Sequence, residues 1–338
     1  MKMIVLGDIH HTSKEDSSAK YNQVKDFMDW FEKSEYNIKD SVLLFEGDLS
    51  DKSIPHSSVN DDIHDFTESR CIANKKVILT GNHEMSLSKG YFFNYLNGHK
   101  GITIVDKPTS MKFDNINCLL LPHYDYLQSD IKVPMYEYYN NLPEELSKQE
   151  YDFTFGHIMD ETKSFGKVKL YTDLSYIKTG VRLFGHDHTC DAINGGNYLG
   201  AVTLNSSNEK GRTPYIAVVD TITKEYKLVE IPKWLDYDEV DYPSDLPKPI
   251  AKYTVYTVKN SINKKETIEY YSKQAKERYN TEFYYNDIEK RKDMNSDVVE
   301  RKELEQENLI DYFDEMVQEK GILPEVSSLV KEQLLKII

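Results

Sequence analysis

The stretch VILTGNHEMS (residues 77–86) opens with four residues suited to a buried strand and then turns polar at Gly81, Asn82, His83 and Glu84. A plain turn explains the glycine. It does not explain an amide, an imidazole and a carboxylate directly after it. The same form recurs behind four other apolar runs. MIVL (3–6) leads into LGDIH, with Asp8 and His10, and VLLF (42–45) leads into EGDLSD, with Asp48 and Asp51. DFTF (152–155) leads into FGHIMD, with His157, and VRLF (181–184) into FGHDH, with His186 and His188. Together with CLLL (118–121), these short runs predict strands buried on both faces.

Between the first two runs, Val24, Phe27, Met28 and Phe31 fall at i, i+3, i+4 and i+7, the apolar face of one helix. Strands alternating with helical segments predict an α/β or layered α+β domain. Residues 198–204 and 214–220 suggest a later strand pair around the turn NSSNEKGR. The expected organisation is a main domain over 1–232, a proline-rich linker over 233–250, and a small strand–helix–strand domain over 251–289. A charged mobile linker (290–301) and a helical hairpin (302–338) follow, the hairpin broken at Gly321 with Pro324 in the first turn of its second helix.

Composition narrows the functional classes. No apolar run approaches the roughly 20 residues that span a bilayer, and the N-terminal one is too short for a signal peptide. Cys71, Cys118 and Cys190 are far apart and odd in number, as expected of reduced thiols in a cytoplasmic protein. The net charge of −15 is the wrong sign for a stand-alone nucleic-acid binder, whose affinity comes largely from Lys and Arg on phosphates. Action on DNA would need positive charge from a local patch, a metal or a partner.

In each of the five polar strand ends a glycine precedes the first functional residue, letting the backbone turn sharply toward a shared centre. Asp8/His10 and His186/His188 are i, i+2 pairs that face one side on extended backbone. Seven ligands are too many for one ion but suit two with a shared carboxylate. Asp8, His10 and His188 are assigned to one ion, Asn82, His157 and His186 to the other, with Asp48 bridging. Two such ions activate water and neutralise a phosphate. With no thiolate in the set, Mn²⁺ is favoured, with Mg²⁺, Fe²⁺ or Zn²⁺ as alternatives. His83 is left to hydrogen-bond the phosphate and protonate the leaving oxygen.

The set GDxH, GDxxD, GNHE, GH and GHxH, in this order over residues 7–188, resembles the calcineurin-like metallophosphoesterases. The resemblance implies a four-layer β-sandwich flanked by helices, metal ligands at Asp8, His10, Asp48, Asn82, His157, His186 and His188, and a catalytic histidine at His83. Protein phosphatases of that superfamily carry arginines after the second motif and in the third, and GDLSDK and GNHEMS have neither. With Asp51 three positions after Asp48, the chain instead resembles SbcD-type nuclease subunits and phage recombination endonuclease subunits. That likeness implies a DNA exonuclease and endonuclease, a capping domain over 251–289, and C-terminal helices that dock on an SbcC-like coiled-coil ATPase. Homodimerisation is left open, as is packing of those helices on the chain's own core. The alternative functions are a stand-alone phosphoesterase on nucleotides or other small esters, and a non-catalytic scaffold. His11, His123, Tyr124 and Tyr126 are further residues that could line the cleft, and Lys264, Lys265, Lys290, Arg291 and Lys292 could contact phosphates.

Overall fold

The computed structural model describes residues 1–86, 90–123, 138–159, 172–261 and 263–285. All belong to the first of two compact units, Met1–Asn286, the second being Asp287–Ile338. The first strands are β1 (Lys2–Leu6), β2 (Ser41–Phe45), β3 (Lys75–Leu79), the short pair β4 (Met85–Ser86) and β5 (Gly90–Tyr91), and β6 (Ile102–Val105). Next come β7 (Thr109–Phe113), β8 (Ile116–Leu121), β9 (Glu150–His157), β10 (Lys178–Gly185), β11 (Ala192–Ile193) and β12 (Gly196–Tyr198). The last are β13 (Tyr215–Asp220), β14 (Glu225–Glu230), β15 (Leu235–Asp241), β16 (Tyr253–Lys259) and β17 (Tyr284–Tyr285).

Two six-stranded sheets form, in the orders β14-β13-β1-β2-β3-β6 and β11-β12-β10-β9-β8-β7. Both are mixed: β1, β2, β3 and β6 run parallel, as do β8, β9, β10 and β12, and the edges add antiparallel strands. Side-chain alternation sorts the strands between two cores. Met3, Val5, Val42, Leu44, Val77 and Leu79 point into the space between the sheets, where they meet Cys118, Leu120, Phe153, Phe155 and Leu183. Ile4, Leu6, Leu43, Phe45 and Ile78 face the other way, onto the helical layer. There α1 (Ser18–Lys33) lays down Val24, Phe27, Met28 and Phe31, all buried. Burying each such side chain is worth about 1.5–3 kcal/mol, well above any helix-propensity difference, so packing decides where this helix lies. Tyr139, Leu142, Leu174 and Ile177 cover the far face of the second sheet. The α/β sandwich expected from the resemblance is therefore present, with two large mixed sheets and few helices.

Two local expectations need correction. Residues 198–204 and 214–220 are not a strand pair: β12 joins the second sheet, while β13 pairs with β1 and β14 in the first. Between them Gly200, at φ +73°, turns the chain, and Val202 N–H is given to the Asp8 carbonyl at 3.0 Å. The segment 233–250 is not all linker, because β15 pairs in parallel with β16 throughout its length. With β17 these strands make a separate three-stranded sheet, and Tyr271 of the helix Lys264–Gln274 packs with Tyr256 and Val258 of β16. The expected hairpin at 302–338 and linker at 290–301 lie outside the described residues, as do Tyr124, Tyr126, Lys290, Arg291 and Lys292. Among the described residues no helix is long and apolar enough to cross a membrane.

Candidate metal centre

The parallel strands β1, β2, β3, β9 and β10 all deliver their carboxyl ends to one place, as strand ends do in parallel α/β sheets. Here two sheets contribute instead of one. Close approach explains the glycines: a Cβ on Gly81 would stand 2.1 Å from Asp48 Oδ1, and one on Gly47 2.6 Å from His157 Nδ1. The turns are tied together by the backbone as well. The Asp48 carbonyl accepts from the N–H groups of Ile9 (3.0 Å) and His10 (2.8 Å), and Asp48 Oδ1 accepts from the N–H of His83 (2.9 Å). His10 (φ 50°), Asp48 (φ 47°) and His186 (φ 76°) all sit in left-handed backbone, which costs a non-glycine residue about 1–3 kcal/mol and persists where the surroundings enforce it.

Two groups of donors result. In one, His10 Nε2 and His188 Nε2 stand 2.9 Å apart, with Asp48 Oδ2 3.5 Å from His10 Nε2. In the other, Asn82 Oδ1 lies 2.8 Å from His157 Nε2 and 3.0 Å from His186 Nδ1, and these two nitrogens are 3.2 Å apart. Asp48 Oδ2 is 3.3 Å from His157 Nε2, so this one oxygen serves both groups. Asp8 is fully buried beneath them, with Oδ1 3.2 Å from His157 Nδ1 and Oδ2 accepting from the His186 N–H at 2.9 Å. Its direct contacts thus run to His157 and His186, while His188 acts on it only through charge. Ring nitrogens aimed at one another across about 3 Å, beside carboxylate and amide oxygens, fit divalent cations with nitrogen and oxygen ligands. His83 stands at the rim, its side chain 37% exposed and its ring centroid 4.6 Å from that of His10. It lies near enough to His10 and Asp48 to share a cation with them.

Electrostatics follow from burial against pairing. Burial pushes the Asp48 carboxyl up, but His157, His10 and His83 hold it well below its ordinary range. Burial lowers His157, yet Asp48 and Asp8 raise it well above the usual imidazole value. Burial and the neighbouring His157 charge bring His186 down to about 4.

Three acidic residues of the site were assigned no role by the sequence reading. Glu84 is buried; its Oε1 accepts from the Ser50 N–H at 3.0 Å, tying the Asp48 turn to the Asn82 turn. Burial, then the Asp48 charge, push its carboxyl up to about 8. Glu46 is buried, and burial followed by Asp8 raises its carboxyl well above its ordinary value. Glu209 lies 2.8 Å from His188 Nδ1. Adjacency to a motif marked the first two, in GNHE and EGD; Glu209 is distant in sequence and carried no signal. His11 turns away from the pocket, its Nε2 3.0 Å from Asp62, and the His123 ring lies 6.3 Å from that of His157.

No curated protein matches the chain. A solved structure described as a novel archaeal phosphodiesterase is similar at 13% identity over 68% of this chain and 100% of that chain, with a TM-score of 0.37. The family model for calcineurin-like phosphoesterases matches residues 1–205. That match spans all five glycine-led turns and is more than half of the 338 residues, so the chain belongs to the calcineurin-like phosphoesterase family.

Proposed function

We propose that the chain is a Mn²⁺-dependent phosphodiesterase that cleaves DNA, as the exonuclease and endonuclease subunit beside an SbcC-like coiled-coil ATPase. The observation that carries the phosphoesterase chemistry is the single Asp48 oxygen set between two groups of imidazoles, 3.5 Å from His10 and 3.3 Å from His157. Divalent ions bound there supply a nucleophile at neutral pH and neutralise the phosphate. The chain's own residues do the rest. Asp8, Asn82 and the four imidazoles His10, His157, His186 and His188 would hold the cations with Asp48, and Asp8 also orients His157 and the His186 backbone. His83 directs Nδ1 at the Asp51 carbonyl oxygen, 3.1 Å away, so that its Nε2 is left to give a proton to the leaving oxygen.

The absence of arginines from GDLSDK and GNHEMS counts against a protein phosphatase, and DNA as the substrate is supported by Asp51 three positions after Asp48 and by the small three-stranded sheet β15–β17. The test compares hydrolysis of linear duplex, single-stranded DNA, cyclic nucleotides and mononucleotides by the purified chain in Mn²⁺, with and without a coiled-coil ATPase from the same source. Cleavage of DNA is expected. Its absence under both conditions, with small esters still hydrolysed, would leave the stand-alone phosphoesterase. The excess of 57 acidic over 42 basic residues favours that second reading.

A further inference from the structure

We infer that Glu209 is the positioning residue for His188, fixing which ring nitrogen that histidine offers and so setting the affinity of one metal position without the other. The inference rests on the two-metal reading above. His188 is 27% exposed, and its ring needs an external hold to keep one edge inward. A neutral imidazole has one N–H and one bare nitrogen, and an ionised carboxylate only accepts. Glu209 Oε1, 2.8 Å from Nδ1, therefore requires the proton on Nδ1 and leaves the Nε2 lone pair facing His10 Nε2 at 2.9 Å.

Glu209 is itself immobilised and is not a spare ligand. It is 7% exposed, and both its oxygens are engaged. Oε1 also accepts from Ser206 Oγ at 3.3 Å; Oε2 accepts from the Asn205 N–H at 3.0 Å and lies 3.3 Å from Arg212 Nη2. Arg212 in turn donates to the carbonyls of Ala201 (2.9 Å) and Thr203 (3.0 Å), the segment that leads back to the metal centre. The turn carrying Glu209 is anchored to β15, where Asp236 Oδ1 accepts from the Gly211 N–H at 3.0 Å and Asp238 pairs with Lys210 at 2.8 Å. The opposite group is held differently: His157 Nδ1 donates to the Glu46 carbonyl at 2.7 Å, so removing Glu209 leaves it untouched.

Mutating such an outer partner of a metal-binding histidine typically weakens metal affinity about 10- to 100-fold. Calorimetric titration of Mn²⁺ into the metal-free full chain, Glu209→Gln and Glu209→Ala provides the test. The parent is expected to show two binding events. In Glu209→Ala one of them weakens about 10- to 100-fold and the other holds. Glu209→Gln, whose amide oxygen still accepts from Nδ1–H, recovers part of the loss, and it preserves the side-chain volume should the alanine variant fail to fold. Nitrogen-15 spectra of the histidines in metal-free protein at mildly alkaline pH give an independent reading. His188 should be in the Nδ1–H tautomer in the parent and a mixture in Glu209→Ala, with His157 unmoved. Two binding events of parental affinity in both variants, or equal weakening of both events, would overturn the role of Glu209 and leave the two-metal reading standing. A parent chain that binds no Mn²⁺ would overturn that reading and this inference with it.

Discussion

At the scale of single residues the centre is built from conflicts that an ordinary core avoids. Three of its side chains stand on left-handed backbone, and carboxylates and imidazoles are buried together with ring nitrogens facing each other. A divalent cation would relieve the last of these, the ring nitrogens that face one another. The glycine-led turns were legible in sequence because a polar ligand after a glycine at a strand end is a local pattern. Glu209 was not legible, since its meaning depends on a contact between residues 21 positions apart. His83 separates two roles, because it stands near enough to His10 and Asp48 to bind a cation yet at the open rim. For His83→Gln, turnover should fall about 10²- to 10⁴-fold, the usual worth of a positioned acid. Mn²⁺ stoichiometry measured by calorimetry should stay at the parental value. Loss of one ion would make His83 a ligand, and parental turnover would remove it from the chemistry.

Elements were legible where their period was local. Strands β1, β2 and β3 are apolar on both faces and α1 shows its stripe, so each is found where the pattern puts it. Pairing was not legible: nothing in YLGAVTL says that β12 joins one sheet while β13 crosses to the other. β15 was missed because LDYDEVD is acidic and is followed by prolines, and its strand character comes from the parallel partner β16. Between elements, one ionic tie is open to test. Asp62, on α2 (Ser57–Asp65), holds Lys25 of α1 at 2.6 Å and His11 at 3.0 Å. Burial raises the Asp62 carboxyl, but those two partners outweigh it and bring it from 3.8 down to about 2. A depressed carboxyl binds protons more weakly folded than unfolded, so its stabilisation is complete above about pH 4 and fades as pH falls toward 2. Asp62→Asn should lower stability by about 1–3 kcal/mol at neutral pH. In denaturant titrations the difference from the parent should shrink as the buffer is taken from pH 5 to pH 3. A gap that does not change with pH would show that packing, not charge, is what Asp62 supplies.

On the scale of the whole molecule, charge is the tension to resolve, since a chain of net −15 must approach a polyanion if DNA is its substrate. Six of the described lysines are already held by acidic partners. Lys25, Lys52, Lys210, Lys224, Lys252 and Lys259 are each paired with an aspartate or glutamate at 2.6–2.9 Å. A cation already paired with a carboxylate releases few DNA counterions, so on the proposed reading these six lysines add little and the metal centre takes a larger share of phosphate recognition. The expectation is quantitative. Log affinity for duplex DNA, measured by fluorescence anisotropy in Ca²⁺ to suppress cleavage, should fall with log salt at a slope no steeper than about −2, the value for roughly two phosphate contacts. Adding the proposed ATPase partner should steepen that slope if its surface supplies further basic groups. A slope of about −5 for the chain alone would place a basic DNA-binding surface on this chain, and the proposed partner would no longer be needed to explain how an acidic chain holds DNA.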